Sequence, residues 1–187
     1  MITLTAGEIG LLVGGEMHCD KDLLVSKAPV FDSRLATPGC IFLALKGENV
    51  DGHDFVAEAY RAGAVFSLTT HRIDGPCIVV ADVLVALSAL AEFVRKRLTG
   101  LTVVGITGSQ GKTSTKDLLA HMLSVAGPTV APKGSFNNDL GLPITLLQCD
   151  ERTKFCILEM GARHKGDIAR LCEITQPDIA VVLVVGT

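Results

Sequence analysis

The sequence predicts an α/β protein of two domains, in which parallel sheets are wrapped by helices, and three observations carry that prediction. Apolar runs of strand length alternate with segments of helical period along the chain. A glycine-rich stretch within VVGITGSQGKTSTKDLL, residues 103–119, joins a buried-strand pattern directly to a helix pattern. With 187 residues, 48% hydrophobic and 20% charged, the chain can bury one good core or two small ones.

The elements follow in order. Thr5-Ala-Gly-Glu8 is a capping-box pattern that opens a short helix, because a Thr hydroxyl and a Glu three residues on can satisfy each other's backbone N–H. Leu23 to Val25 and Cys40 to Leu45 read as strands. Phe55, Ala59 and Ala62 recur at helical spacing before Gly63, a natural C-cap, and AVFSLT and PCIVV supply two more strands. Asp82 is placed to cap a helix that runs to about Leu98, and a domain boundary is expected near Leu98 to Gly100, giving domains 1–99 and 100–187. Thr102 to Ile106 then forms a buried strand, Thr113 to Val125 a helix, FCILE from Phe155 and IAVVLVV from Ile179 two strands, with a capped helix from about Asp167 between them. An α/β domain ending on a strand at Thr187 is expected to be truncated, leaving an apolar edge that favours self-association.

Bulk properties exclude several function classes. A net charge of −3, with 17 Lys and Arg in no long run, argues against a nucleic-acid binder. The first Lys stands at position 21, so the N-terminus lacks the basic start of a secretory signal. IVVADVLVALSALAEFV is interrupted by Asp82 and Glu92 and reads as a strand and helix rather than a membrane span. Cys19, Cys40, Cys77, Cys149, Cys156 and Cys172 form no C-x-x-C pair, which suits reduced core residues of a cytoplasmic protein.

The chemistry concentrates in Thr107-Gly-Ser-Gln-Gly-Lys-Thr-Ser114. Gly108 and Gly111 let the backbone turn tightly so that N–H groups from Gly108, Ser109, Gln110, Gly111 and Lys112 can face an anion at a helix start. Lys112 can reach a terminal phosphate and the Thr113 hydroxyl can ligate Mg²⁺. Ile106 stands where the general phosphate loop has its first glycine, with Gly105 one position earlier. Lys116, one turn into the helix, reads as a solvated residue. Glu159 ends a fully apolar strand in the same direction as the loop strand, which suits a carboxylate that holds the metal. Asp139 and Asp178 are weaker metal candidates and better suited to turns or caps.

GITGSQGKTSTK, GSFNNDLGLP and LEMGARHKGDI, in this order, resemble the Mur ligase family of bacterial cell-wall synthesis. Its loop is of the T-G-x-x-G-K-T kind, which accounts for Ile106. The Asn137-Asn138 pair with Gly141 and Pro143, followed by Glu159-Met-Gly-Ala-Arg163, is similar to the branch that joins D-alanyl-D-alanine to UDP-N-acetylmuramoyl-tripeptide. The resemblance implies an ATP- and Mg²⁺-dependent ligase of cytoplasmic peptidoglycan-precursor synthesis, monomeric at full length, with Lys112, Glu159 and Asn138 catalytic and Thr113 and Glu159 on the metal. It further implies a first domain that binds the UDP-sugar through Ser33, Arg34, Ala44, Lys46, Gly47, Asp51, Gly52 and His53, with Asn137, Asn138 and Arg163 meeting the same substrate from the second. Arg34 suits a diphosphate, and the turn from Gly47 to Gly52 can offer backbone groups to a uracil edge. By itself, Asp51 or Asp54 reads equally as a helix cap, His53 as an exposed side chain, and Arg163 as a surface residue at a helix start. A metal-binding His, a carbamylated Lys and the adenine contacts are expected beyond Thr187, so the chain alone is expected to be inactive. The rival readings are a non-catalytic UDP-sugar-binding module, a folylpolyglutamate-type ligase and a simple P-loop kinase.

Overall fold

The computed structural model describes residues 1–132, 134 and 136–186. Ser135 of the GSFNNDLGLP stretch, and Thr187 at the end of the last apolar run, lie outside the described residues. The chain divides into two compact units, Met1–Leu90 and Ala91–Thr187.

The first unit opens with β1 (Leu4–Thr5) and α1 (Ala6–Val13). The Thr5 hydroxyl accepts the Glu8 N–H at 3.1 Å and the Glu8 carboxylate accepts the Thr5 N–H at 2.8 Å, which completes the expected capping box. There follow β2 (Glu16–His18), β3 (Leu24–Val25), a 3-10 turn at Ser33–Leu35, and β4 (Ile41–Leu43). A second 3-10 turn at Gly52–Phe55 runs into α2 (Val56–Arg61), and β5 (Phe66–Thr69), β6 (Cys77–Val79) and α3 (Val83–Arg97) complete the set. The sheet order is β2-β6-β5-β4, with β4, β5 and β6 parallel and β2 antiparallel on the edge; β1 and β3 pair separately. Ile41, Phe42 and Leu43 are all buried, as a parallel strand covered on both faces requires. Phe42 packs with Ala44, Val56 and Ala59 beneath α2, and its truncation to alanine should cost about 3–5 kcal/mol.

The Asp82 carboxylate accepts the N–H groups of Leu84 (2.7 Å) and Val85 (3.0 Å), the expected cap of α3. The two units part inside this helix, upstream of Leu98–Gly100. Its last turn belongs to the second unit, where the Arg95 guanidinium donates to the Thr175 carbonyl at 3.0 Å and to both oxygens of Asp178.

The second unit contains β7 (Thr102–Thr107), α4 (Lys112–Ala126), β8 (Thr129–Val130), α5 (Gly141–Leu146), β9 (Phe155–Glu159), α6 (Asp167–Thr175) and β10 (Ile179–Val182). The sheet is wholly parallel in the order β10-β7-β9-β8. Val104, Ile106 and Ile157 form a core cluster against Leu119, Ala120 and Leu123 of α4. Every residue of α5 is buried, and Pro143 is tolerated because it sits in the first turn, where its missing N–H has no intrahelical partner. On the edge, Ile179 is 49% and Val182 67% exposed, and Val184 and Val185 beyond are more exposed still. All six cysteines are free, four of them buried. Among the described residues no helix is long and apolar enough to cross a membrane.

Candidate functional site

The site grows out of the carboxyl end of the second sheet, where parallel strands direct their last residues to one edge. Strand β7 ends at Thr107 and the chain turns through Gly108 (φ 139°) and Gly111 (φ 83°), conformations that favour glycine, before α4 begins at Lys112. A Cβ on Gly108 would also lie 2.8 Å from the Leu183 Cβ. The Ser109 N–H donates to the Val184 carbonyl and its hydroxyl accepts the Gly186 N–H, so the segment after β10 lies against the loop. Lys112 Nζ folds back on the Gly108 carbonyl at 2.6 Å.

Register brings the acid to the loop. Ile106 pairs with Glu159 across β7 and β9, which sets the end of β9 beside the start of the glycine turn. Thr113 Oγ1 donates to Glu159 Oε2 at 2.9 Å, and Asn137 Nδ2 donates to Glu159 Oε1 at 3.3 Å. Glu159 is only 1% exposed, so this carboxylate is held among hydrogen-bonding groups rather than in water. A cavity of about 360 Å³ is lined by Ser109, Gln110, Gly111, Lys112, Thr113, Ser114, Asn137 and Glu159. Among the described residues no cluster of three or more His, Cys, Asp or Glu could hold a metal. One hydroxyl and one carboxylate at hydrogen-bond distance fit Mg²⁺, which binds through one or two protein oxygens and fills its shell with water and phosphate.

A larger cavity of about 760 Å³ adjoins the loop, and Thr107, Gly108, Asn137, Asn138, Arg163 and Lys112 line it together with His164 and Arg170. Asn138 Oδ1 accepts the Gly141 N–H at 2.9 Å, which caps the entry to α5. The Asp167 carboxylate accepts the N–H groups of Arg163 and His164, both at 2.8 Å, and these bonds hold its pKa below the usual aspartate value. His164 and Arg170 were not singled out from the sequence, although both stand within or just after LEMGARHKGDI. Asp139 pairs with Arg170 and Asp178 with Arg95, so both weaker metal candidates are engaged by guanidinium groups.

Lys116 corrects the sequence reading. It is 1% exposed instead of solvated, and its ammonium donates to the carbonyls of Pro132 (2.9 Å) and Gly134 (3.1 Å) with Asp117 Oδ1 at 3.0 Å. The helix turns that face inward against the segment after β8, and three acceptors offset the cost of removing the charge from water.

In the first unit, Ser33 and Arg34 lie on the first 3-10 turn and Gly52 and His53 on the second, and both turns pack against α2. Ser33 Oγ donates to Glu58 at 2.8 Å. Arg34 forks onto Asp32 (Nε–Oδ1 2.9 Å, Nη2–Oδ2 2.6 Å), and this pairing lowers the Asp32 pKa. Ala44 is buried at the end of β4, with its N–H on the Leu68 carbonyl. Beyond it the backbones of Lys46 and Asp51 form an isolated antiparallel bridge, the Gly47 N–H donates to the Val50 carbonyl, and a Cβ on Gly52 would meet the Leu45 backbone nitrogen at 2.6 Å. Asp51 caps the second turn by accepting the His53 N–H, which leads the causes lowering its pKa. The His53 side chain is 8% exposed, which corrects the exposed reading: Nδ1 meets Asp51 at 2.6 Å, Nε2 accepts the Thr70 N–H at 3.2 Å, and the ring stacks on His71 with centroids 4.2 Å apart. The acceptor role of Nε2 assigns the proton to Nδ1.

Two family models match the chain: the Mur ligase middle domain over residues 106–187 and the Mur ligase family catalytic domain over residues 30–95. UDP-N-acetylmuramoyl-tripeptide--D-alanyl-D-alanine ligase of Mycobacterium tuberculosis is 46% identical over 215 residues, an alignment that takes in 100% of this chain and 42% of the relative. Crystal structure I of MurF from Acinetobacter baumannii superposes with a TM-score of 0.88 at 36% identity, over 99% of this chain and 42% of that one. MurF ligase from Thermotoga maritima, solved in complex with ADP, superposes at 0.75 with 37% identity, over 89% of this chain and 39% of that one. The chain thus spans about 42% of the length of the curated relative. Similarity that runs through the glycine loop, the Glu159 strand and the first-unit turns alike has one source, and the chain belongs to the Mur ligase family.

Proposed function

We propose that this chain carries the UDP-sugar-binding domain and the glycine-loop portion of an ATP-dependent ligase that joins D-alanyl-D-alanine to UDP-N-acetylmuramoyl-tripeptide, working on peptidoglycan precursors in the cytoplasm. The observation that supports it most is the meeting of Thr113 with Glu159 beside Lys112, on a loop adjoining a cavity large enough for a second substrate.

In this reading the tripeptide carboxylate attacks the γ-phosphorus of ATP, the bond to the β-phosphate oxygen breaks, and an acyl phosphate and ADP result. The amine of D-alanyl-D-alanine then adds to the acyl carbon, and phosphate leaves from a tetrahedral intermediate. Lys112 exchanges the Gly108 carbonyl for a phosphate oxygen, so that its charge offsets the negative charge that moves toward the leaving group. Backbone N–H groups of the loop add to this field, without that of Ser109, which Val184 already takes. Thr113 and Glu159 would hold Mg²⁺, which supplies a Lewis acid for the phosphate oxygens. Asn138, with Asn137 fixed to Glu159, orients the substrate in the larger cavity, and Arg163 offers a cation there. In the first unit, Arg34 takes the diphosphate and the Lys46–His53 turn the uracil.

Calorimetric titration with UDP-N-acetylmuramoyl-tripeptide tests the reading. Saturable binding is expected, and it should weaken about tenfold in Arg34→Ala. Binding that ignores Arg34, or a preference for another nucleotide sugar, would overturn the assignment of the first unit.

A further inference from the structure

Lys116 is the buried charge that the reaction above does not use. Among the described residues, Glu159 and Lys116 are the acidic and basic side chains buried to 1% exposure, and only Glu159 lines the loop cavity. A lysine on a helix ordinarily extends its stem and keeps its ammonium in water. Here the ammonium is turned inward, and its three hydrogens match three acceptors: Pro132 O, Gly134 O and Asp117 Oδ1. Two of these are main-chain carbonyls of one short segment, so the charge is used to hold backbone.

That segment leads straight to the asparagine pair. Gly134 takes φ 75° and a Cβ there would meet nothing within 4 Å, while further on the Gly161 N–H donates to Asn137 O at 2.9 Å and Asn137 Nδ2 reaches Glu159. One end of the stretch is therefore held by β9 and the other by Lys116. Lys116 stands one turn after Lys112 and Thr113 on the same rigid helix, and α4 thus ties the phosphate loop to the asparagine pair.

We propose that Lys116 is a positioning residue that sets Asn137 and Asn138 at a fixed place relative to Lys112 and Thr113. The proposal rests on the reading that Asn138 orients the UDP-sugar substrate in the larger cavity. Lys116 acts through the Pro132 and Gly134 carbonyls and touches neither ATP nor the UDP-sugar.

The test uses Lys116→Met, which keeps the stem length and removes the charge and its donors. In the chain itself, hydrogen exchange at the Gly161 and Gly141 amides, which bond to Asn137 and Asn138, should quicken about tenfold or more while β7 amides stay protected. In a polypeptide competent for ligation, kcat should fall about 10²-fold with the KM for ATP unchanged. The same exchange made on top of Asn137→Ala and Asn138→Ala should cost little further, because the groups it positions are gone. Gly134→Ala strains the left-handed backbone at the other end of the link without emptying the core, and it should reproduce the kcat loss more weakly, which keeps the question open to test if Lys116→Met does not fold. Unchanged exchange at Gly161, a rise in the KM for ATP that matches the fall in kcat, or full additivity with the asparagine changes would each overturn the proposal. A wild-type protein that ligates nothing would instead overturn the ligase reading, and the exchange result would still decide the role of Lys116.

Discussion

In the first unit two of the side chains proposed to meet the ligand find their partners two residues away: Arg34 on Asp32 and His53 on Asp51. In the second, Thr113 reaches Glu159 across 46 positions and Asn137 reaches it across 22. The first arrangement consists of capped turns, each of which can form from a few residues of chain. The second exists only when the parallel register of β7 and β9 is in place. On the proposed reading a ligand must take the turn groups from a local acid and must likewise draw Lys112 from the Gly108 carbonyl, whereas Glu159, Thr113 and Asn137 are already brought together by the sheet.

Lys112→Ala should have the largest effect on that contrast: in a polypeptide competent for ligation kcat should fall about 10³-fold or more, while affinity for the UDP-sugar stays nearly unchanged. A parallel loss of UDP-sugar affinity would mean that the two regions do not bind separately. Glu159→Gln should come next, with turnover down by about 10²-fold and Mg²⁺ needed at higher concentration, read from a metal titration of the rate. If the rate were insensitive to metal in both proteins, the pairing of Glu159 with Thr113 would be a structural hydrogen bond only. Arg34→Ala should weaken UDP-sugar binding about tenfold and leave the rate at saturating substrate alone, since a charge-assisted bond to the ligand is lost but Asp32 already competes for the guanidinium in the free protein.

The smallest effect concerns acid. Asp51 and Asp167 have pKa values lowered by hydrogen bonds in the folded state, chiefly from backbone N–H groups, so each adds stability at neutral pH that is lost as pH falls through the aspartate range and below. Asp167→Asn and Asp51→Asn should therefore lower the melting temperature slightly at pH 7 and converge with the parent protein in strong acid. A difference that grew toward low pH would have the wrong sign for this account.

Much of the site was legible because its residues are set by short-range geometry. The Thr5–Glu8 capping box and the Asp82 cap answer to neighbours within three residues, the positive φ at Gly108 and Gly111 follows from a tight local turn, and a strand-loop-helix order is itself a local pattern. Other elements left no such trace. β2 is three residues without alternation, and it became an antiparallel edge only because β6 offered unpaired backbone groups. α5 is six residues long and carries a proline, too short for a period to show, and it is helical because burial leaves its backbone no other partners.

By itself, then, the sequence determined the alternation of strand and helix, the turn at Gly108–Gly111 that presents Lys112, and the acid at the end of β9, since each depends on residue type and near neighbours. Only the tertiary structure decided that Glu159 would face Thr113 and Asn137, that His53 would be enclosed by Asp51, Thr70 and His71, and that Lys116 would turn inward to the Pro132 and Gly134 carbonyls. Sheet register and the inward face of a helix are settled by packing between distant segments, and spacing along a chain carries no record of which carbonyls will need a donor once water is gone.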